Sequence, residues 1–185
     1  MGVPSVEAAA VLAFWFEEID KTRWFEKDPA FDKLVTRRFA ALHEAAACGD
    51  RDSWRDEAQS CLALILLLDQ FPRNMFRDTP RAFATDAIAR AVADHALMRG
   101  YDEAVPEAGR QFFYLPFEHS EDLADQARAV ALFRERADNP LWLDYAERHH
   151  AVIARFGRFP HRNAVLGRAS TAEEIAFLAD EKAHF

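Results

Sequence analysis

From Cys61 to Leu68 the chain is apolar at every position, and the run passes straight into Asp69, Gln70, Phe71, Pro72, Arg73 and Asn74. A helix that is apolar around its whole circumference has to be surrounded by other helices. This segment is therefore expected to form the axis of a helical core, with a polar tip whose buried charge needs a partner. It falls far short of the roughly 20 residues that a bilayer-spanning helix needs, so no membrane span is expected.

Helical signals recur around that axis, and strand signals do not: no stretch alternates apolar and polar residues between hairpin turns. Ser5 caps a first helix reaching about Ile19. Asp28 and Pro29 open a second, with Phe31, Val35, Phe39 and Ala46 at helical spacing and Gly49 as its stop. A third begins at Asp52 or Ser53, and Pro72 is expected to end it at Phe71. Thr79 and Pro80 repeat the cap-and-proline start ahead of Gly100, and residues 101–120 read as a short helix and a turn. Ser120 is expected to cap the next helix, Asn139 and Pro140 open another that stops at Gly157, and Thr171 with Glu174 forms a capping box for the last. Short connections between such helices favour antiparallel pairs, so the fold class expected is all-α, a single helical domain over residues 1–185. A chain of this length buries a core without staples.

Charge excludes some functions. A formal net charge of −8 repels a phosphate backbone, so neither nucleic acid nor an anionic membrane surface is an expected partner. The N-terminal stretch has acids at Glu7, Glu17 and Glu18 and no basic region ahead of its apolar residues, which makes it a poor secretory signal and points to the cytoplasm. Cys48 and Cys61 lack any CxxC spacing and are expected to be reduced core residues. The dense aromatics, among them Trp15, Trp24, Phe25, Phe112 and Phe113, are expected in the core.

Three polar clusters interrupt this pattern. The segment Arg148 to Arg168 holds five Arg and three His and no acid, inside an acidic protein. Such cations satisfy the last carbonyls of helices; alternatively Arg158, His161, Arg162 and Asn163 build an anion site, joined by Arg73, Asn74 and Arg77 if the two turns FPRN and FPHRN converge. Asp69 with Gln70 ends the buried axis, either as a clamp on an Arg, with Arg73 nearest, or as a general base. Glu118 and His119 precede a helix cap, with Glu121 just beyond, and are candidates for an acid–base pair or for metal ligands completed by His161. No HExxH, phosphate-binding or dinucleotide-binding glycine motif, nucleophile elbow or zinc-type cysteine array is present, so no metal or cofactor is assigned.

The segments LDQFPRNMFRDTPRAFATD, FFYLPFEHSEDLADQ and FGRFPHRNAVLGRASTAEEIAFL together resemble the bacterial family called domain of unknown function 924, from Phe14 to the last helix. The resemblance implies a tetratricopeptide-like, right-handed array of stacked antiparallel helix pairs. Its motif positions fall on Asp69, Gln70, Arg73, Asn74, Glu118, His119, Ser120, Glu121, Gln126, Arg158, His161, Arg162 and Asn163. It implies no activity. Two functions remain open: a binding module for a peptide, protein or small anion on the Arg/His/Asn side chains, or an enzyme on a small phosphorylated or carboxylated substrate, with Arg73, Arg158 and Arg162 holding the anion and Glu118 with His119 moving protons.

Overall fold

The computed structural model describes residues 4–180; the first three residues of the N-terminal stretch, and the last five of the chain, lie outside it. Every regular element among the described residues is helical. Contacts group the chain into two compact units, residues 1–77 with 81–113, and residues 78–80 with 114–185.

The first unit is built around the apolar run. Helix α1 (Val6–Ala13) starts at Ser5, whose hydroxyl accepts from the Ala8 N–H at 3.2 Å, and widens into a π-helical turn over Phe14–Glu18. Helix α2 (Pro29–Ala47) starts as expected, with the Asp28 carboxylate accepting from the N–H groups of Ala30 and Phe31. After a 3-10 turn at Asp52–Asp56 the Glu57 carboxylate, rather than Asp52 or Ser53, caps α3 (Ala58–Ile65) by accepting from Ser60 N–H at 2.8 Å. Helix α3 packs against α1 and against α5 (Asp86–Met98). Every residue from Cys61 to Phe71 is buried. At roughly 1.5–3 kcal/mol for each large aliphatic side chain removed from water, this axis is the main apolar contribution of the unit. Around it Phe14, Trp15, Trp24, Phe31, Phe39, Phe71 and Phe112 form a lattice of rings with neighbouring centroids 4.9 to 6.3 Å apart.

Pro72 does not end the helix. The chain widens into a second π-helical turn at Leu66–Gln70 and continues as α4 (Phe71–Met75), the Phe71 N–H reaching back to the Leu66 carbonyl. The missing Pro72 N–H and the wider turn leave carbonyls without helical donors. Side chains supply them: His43 Nδ1 lies 2.8 Å from the Leu67 carbonyl, Thr85 Oγ1 donates to the Leu68 carbonyl at 2.6 Å, and Arg73 donates to that of Asp69. The His43 nitrogen facing an acceptor must carry the proton.

Four further expectations are corrected. A 3-10 turn at Pro80–Phe83 follows Thr79, and α5 begins only at Asp86, because Thr85 is turned inward to Leu68. Residues 107–118 form a full helix, α6 (Glu107–Glu118), with Pro116 inside it. Cys61 is buried and its thiol pushed up to about 12 by burial, but Cys48 is exposed where α2 ends. Phe25 is 63% exposed, unlike Trp15, Trp24, Phe112 and Phe113.

In the second unit the end of α6 is followed by α7 (Leu123–Arg136), α8 (Pro140–Phe156), a 3-10 turn (Pro160–Arg162) and α9 (Ala172–Leu178). Asp122, not Ser120, caps α7, accepting from Ala124 and Asp125 N–H; Ser120 Oγ donates to Asp125 and accepts from Asp122 N–H. Asn139 caps α8, Gly157 ends it at φ +67°, and Thr171 and Glu174 form the reciprocal capping box of α9. Helices α7 and α8 pack along each other across the short connection 137–139, and Val152, Ile153 and Phe159 form a small core with Phe156 and Phe177 against it.

Candidate functional site

The candidate residues of the first unit form one bonded network. Asp69 is fully buried, takes a hydrogen bond from Gln70 Nε2 at 2.5 Å, and lies 3.3 Å from Arg73 Nη1. Arg73 also holds both oxygens of Asp86 at 3.0 and 3.1 Å. Burial alone would lower the Arg73 pKa, but Asp69 and Asp86 more than offset it and the guanidinium is held charged. Asn74 donates to Asp32 at 3.0 Å and Arg77 grips the same carboxylate at 2.7 and 2.9 Å. The polar tip thus ties α4 to α2 and α5 within the unit.

The second unit brings the other two clusters together. Glu121, left outside the cap of α7, accepts from the Phe159 N–H at 2.8 Å and from Arg168 at 2.6 and 2.9 Å. Burial alone would raise its pKa; Arg168, the Phe159 N–H and the Arg162 charge more than offset this and hold the carboxyl below its ordinary range. Arg168 also donates to Asn163 Oδ1 and to the Phe159 carbonyl, and Asn163 donates to Ser170 Oγ. Arg158 grips Glu174 at 2.7 and 2.9 Å, and with the Thr171 N–H it lowers the Glu174 carboxyl to about 2.

Phe159 is the fully buried hub of this frame. The Arg162 guanidinium lies 4.6 Å from its ring centroid, within cation–π range. The imidazole of His149 meets the ring at 5.6 Å and 78°, and that of His161 at 5.4 Å and 35°. His149 Nδ1 lies 2.8 Å from the Tyr145 carbonyl and 3.2 Å from Glu118 Oε1, so it faces two acceptors and carries the proton. The His149 pKa is lowered to about 3, chiefly by burial, with the Tyr145 carbonyl opposing and the nearby His119, His161 and Arg162 adding to the fall. At neutral pH the Glu118 contact is consequently a hydrogen bond to a neutral ring. His161 is lowered to about 4 by burial and by Arg162, with Glu121 opposing. Gln126, fully buried on α7, donates to the carbonyls of Glu118 and Ser120 at 2.6 and 2.7 Å and so fixes the backbone that carries Glu118 and His119.

Glu118, His119 and Glu121 lie near Arg158, His161, Arg162 and Asn163 within the second unit, while Asp69, Gln70, Arg73, Asn74 and Arg77 are bonded inside the first. His149, whose imidazole also lies beside Glu118, was passed over by sequence reasoning along with Arg168. His149 was detectable: with Ala146, Val152 and Ile153 it falls on the inward stripe of α8, an unusual place for an imidazole. Among the described residues no three His, Cys, Asp or Glu are placed to hold a metal ion, and no helix is long and apolar enough to cross a membrane.

Helices carrying a buried ring framed by guanidiniums and imidazoles define an all-α protein with a concentrated Arg/His cluster. The chain belongs to the family described as bacterial protein of unknown function (DUF924), whose model matches residues 11–182. It is similar to the solved structure of a protein of unknown function, ATU0120, from Agrobacterium tumefaciens, at 49% identity and a TM-score of 0.88, over 93% of this chain and 96% of that one. No curated protein matches it.

Proposed function

We propose that the chain binds a small anionic ligand at the Phe159 cluster of the second unit. The observation that carries this reading is the gathering of one guanidinium and two imidazoles, Arg162, His149 and His161, around a single buried ring. Arg162 supplies a planar cation suited to carboxylate or phosphate. Arg158, Arg168, Asn163 and Glu121 frame the turn through their mutual bonds, and Asp69, Gln70, Arg73, Asn74 and Arg77 serve the first unit as a clamp. Arg162 is only 7% exposed, which favours a small anion over a peptide.

Sodium sulfate tests the reading, with sodium chloride at equal ionic strength as the control. A ligand that binds the folded state alone stabilises it by about 2.7 kcal/mol at one hundred times its dissociation constant. Wild-type protein is expected to show a sulfate-specific rise in melting temperature that His161→Ala and Arg162→Gln remove. Equal rises in all three overturn the site.

An enzyme acting on a small phosphorylated or carboxylated substrate is the second reading. It is favoured by one contact: Glu118 and the Tyr145 carbonyl orient His149 through Nδ1 and leave Nε2 as its basic nitrogen. Turnover of a phosphate or carboxylate ester that His149→Asn abolishes would establish it.

A further inference from the structure

The site proposed above sits in a frame in which two guanidiniums are already answered by carboxylates. Arg158 with Glu174 and Arg168 with Glu121 are doubly hydrogen bonded, and Arg162 lies close enough to Glu121 to lower its pKa. An anion entering such a frame brings negative charge that these bonded guanidiniums do not answer. Breaking a bonded guanidinium–carboxylate pair to answer it would strand a carboxylate, a costly exchange. The imidazoles are the groups beside Phe159 that stand neutral and can still take up a proton. His149 is held through Nδ1 by the Tyr145 carbonyl and Glu118 and is largely covered, whereas His161, packed on the same buried ring, is exposed to solvent.

We propose that the site takes a small oxyanion together with one proton, and that His161 accepts that proton. This rests on the anion-binding reading and adds the charge state of the ligand complex. The groups facing His161 are Arg162 in its own turn, Glu121 and His119 from the connection between α6 and α7, Arg168 from the loop before α9, and His149 from α8 across Phe159. Without ligand the cations among them oppose protonation, and the Glu121 charge that favours it is already bonded to Arg168. A neighbouring negative charge typically raises such a pKa by about one to three units. Protonated His161 then donates to the oxyanion beside Arg162, and sulfate binding strengthens as pH falls.

Sulfate suits the test because it does not titrate between pH 5 and 8. Proton uptake is followed by pH-stat as sodium sulfate is added to the whole chain at pH 5.5 and 7.5, with sodium perchlorate as the ionic-strength control, and the dissociation constant is measured at both values. For a rise of about two to three units the expected result is uptake of about 0.7 to one proton per bound sulfate at pH 5.5, less at pH 7.5, and an affinity about four- to twentyfold higher at the lower pH. His161→Asn should remove both the uptake and the pH dependence, while His95→Asn, whose imidazole meets the Arg55 carbonyl in the first unit, keeps them. Binding that depends on Arg162 without proton uptake overturns this inference and leaves the anion site standing. Uptake that survives His161→Asn overturns the assignment to His161. No sulfate binding at either pH overturns both.

Discussion

His149 makes the acid stability of the second unit a quantitative matter. Its imidazole is neutral in the fold, with a pKa lowered from 6.5 to about 3 by burial, by His119, His161 and Arg162. Because the folded pKa is depressed, the unfolded chain binds a proton below pH 6.5 that the folded chain refuses until about pH 3. The contribution is thus fully present above the unfolded pKa and is lost as pH falls towards the folded one. Each pH unit in that window removes about 1.4 kcal/mol, so between pH 7 and 4.5 this group alone removes about 3 kcal/mol of unfolding free energy. The informative variant is His149→Asn, whose amide N–H stands near the position of Nδ1 and can still donate to Tyr145 and Glu118 but does not titrate. Urea unfolding of both proteins at half-unit steps, each referenced to its own value at pH 7.5, isolates the slope. Other groups, His161 among them, are common to both and cancel. The wild type should lose about 3 kcal/mol more than the variant by pH 4.5; parallel losses would refute the placement of a neutral, buried imidazole at this position.

Thr85→Val leaves the Leu68 carbonyl without its donor in the core of the first unit, and urea denaturation should show a loss of about 1–3 kcal/mol. A double-mutant cycle with Asp69→Asn and Arg73→Gln should give a coupling of at least about 1 kcal/mol in chemical denaturation, since the two meet at 3.3 Å with Asp69 fully buried; a coupling near zero dismisses the clamp. A thiol reagent should modify Cys48 in the native protein at the rate of an accessible thiol and reach Cys61 only in denaturant, as its burial and raised pKa require.

What could be read from the residues in order was mostly what depends on neighbours in sequence. The caps at Asp28, Asn139 and Thr171 involve side chains reaching two or three residues along the chain, so residue type and spacing suffice. Pro72 was misread because the groups that replace its lost hydrogen bond come from His43 and Thr85, far away in sequence. Ser120 and Asp122 are both good caps two positions apart, and only the Ser120 bond to Asp125 decides between them. In the basic segment, sequence showed an excess of cations but not that Arg158 and Arg168 already hold Glu174 and Glu121.

The widened turn at Leu66–Gln70 amounts to one surplus residue in a rod that otherwise advances by about 100° per step. It acts as a phase shifter: upstream, greasy side chains point in every direction, and downstream the rod is re-clocked so that Arg73 meets Asp86 and Asn74 meets Asp32. Deleting a single leucine there would leave an unbroken α-helix of good local propensity whose polar tip faces the wrong neighbours, a lesion of angle rather than of composition.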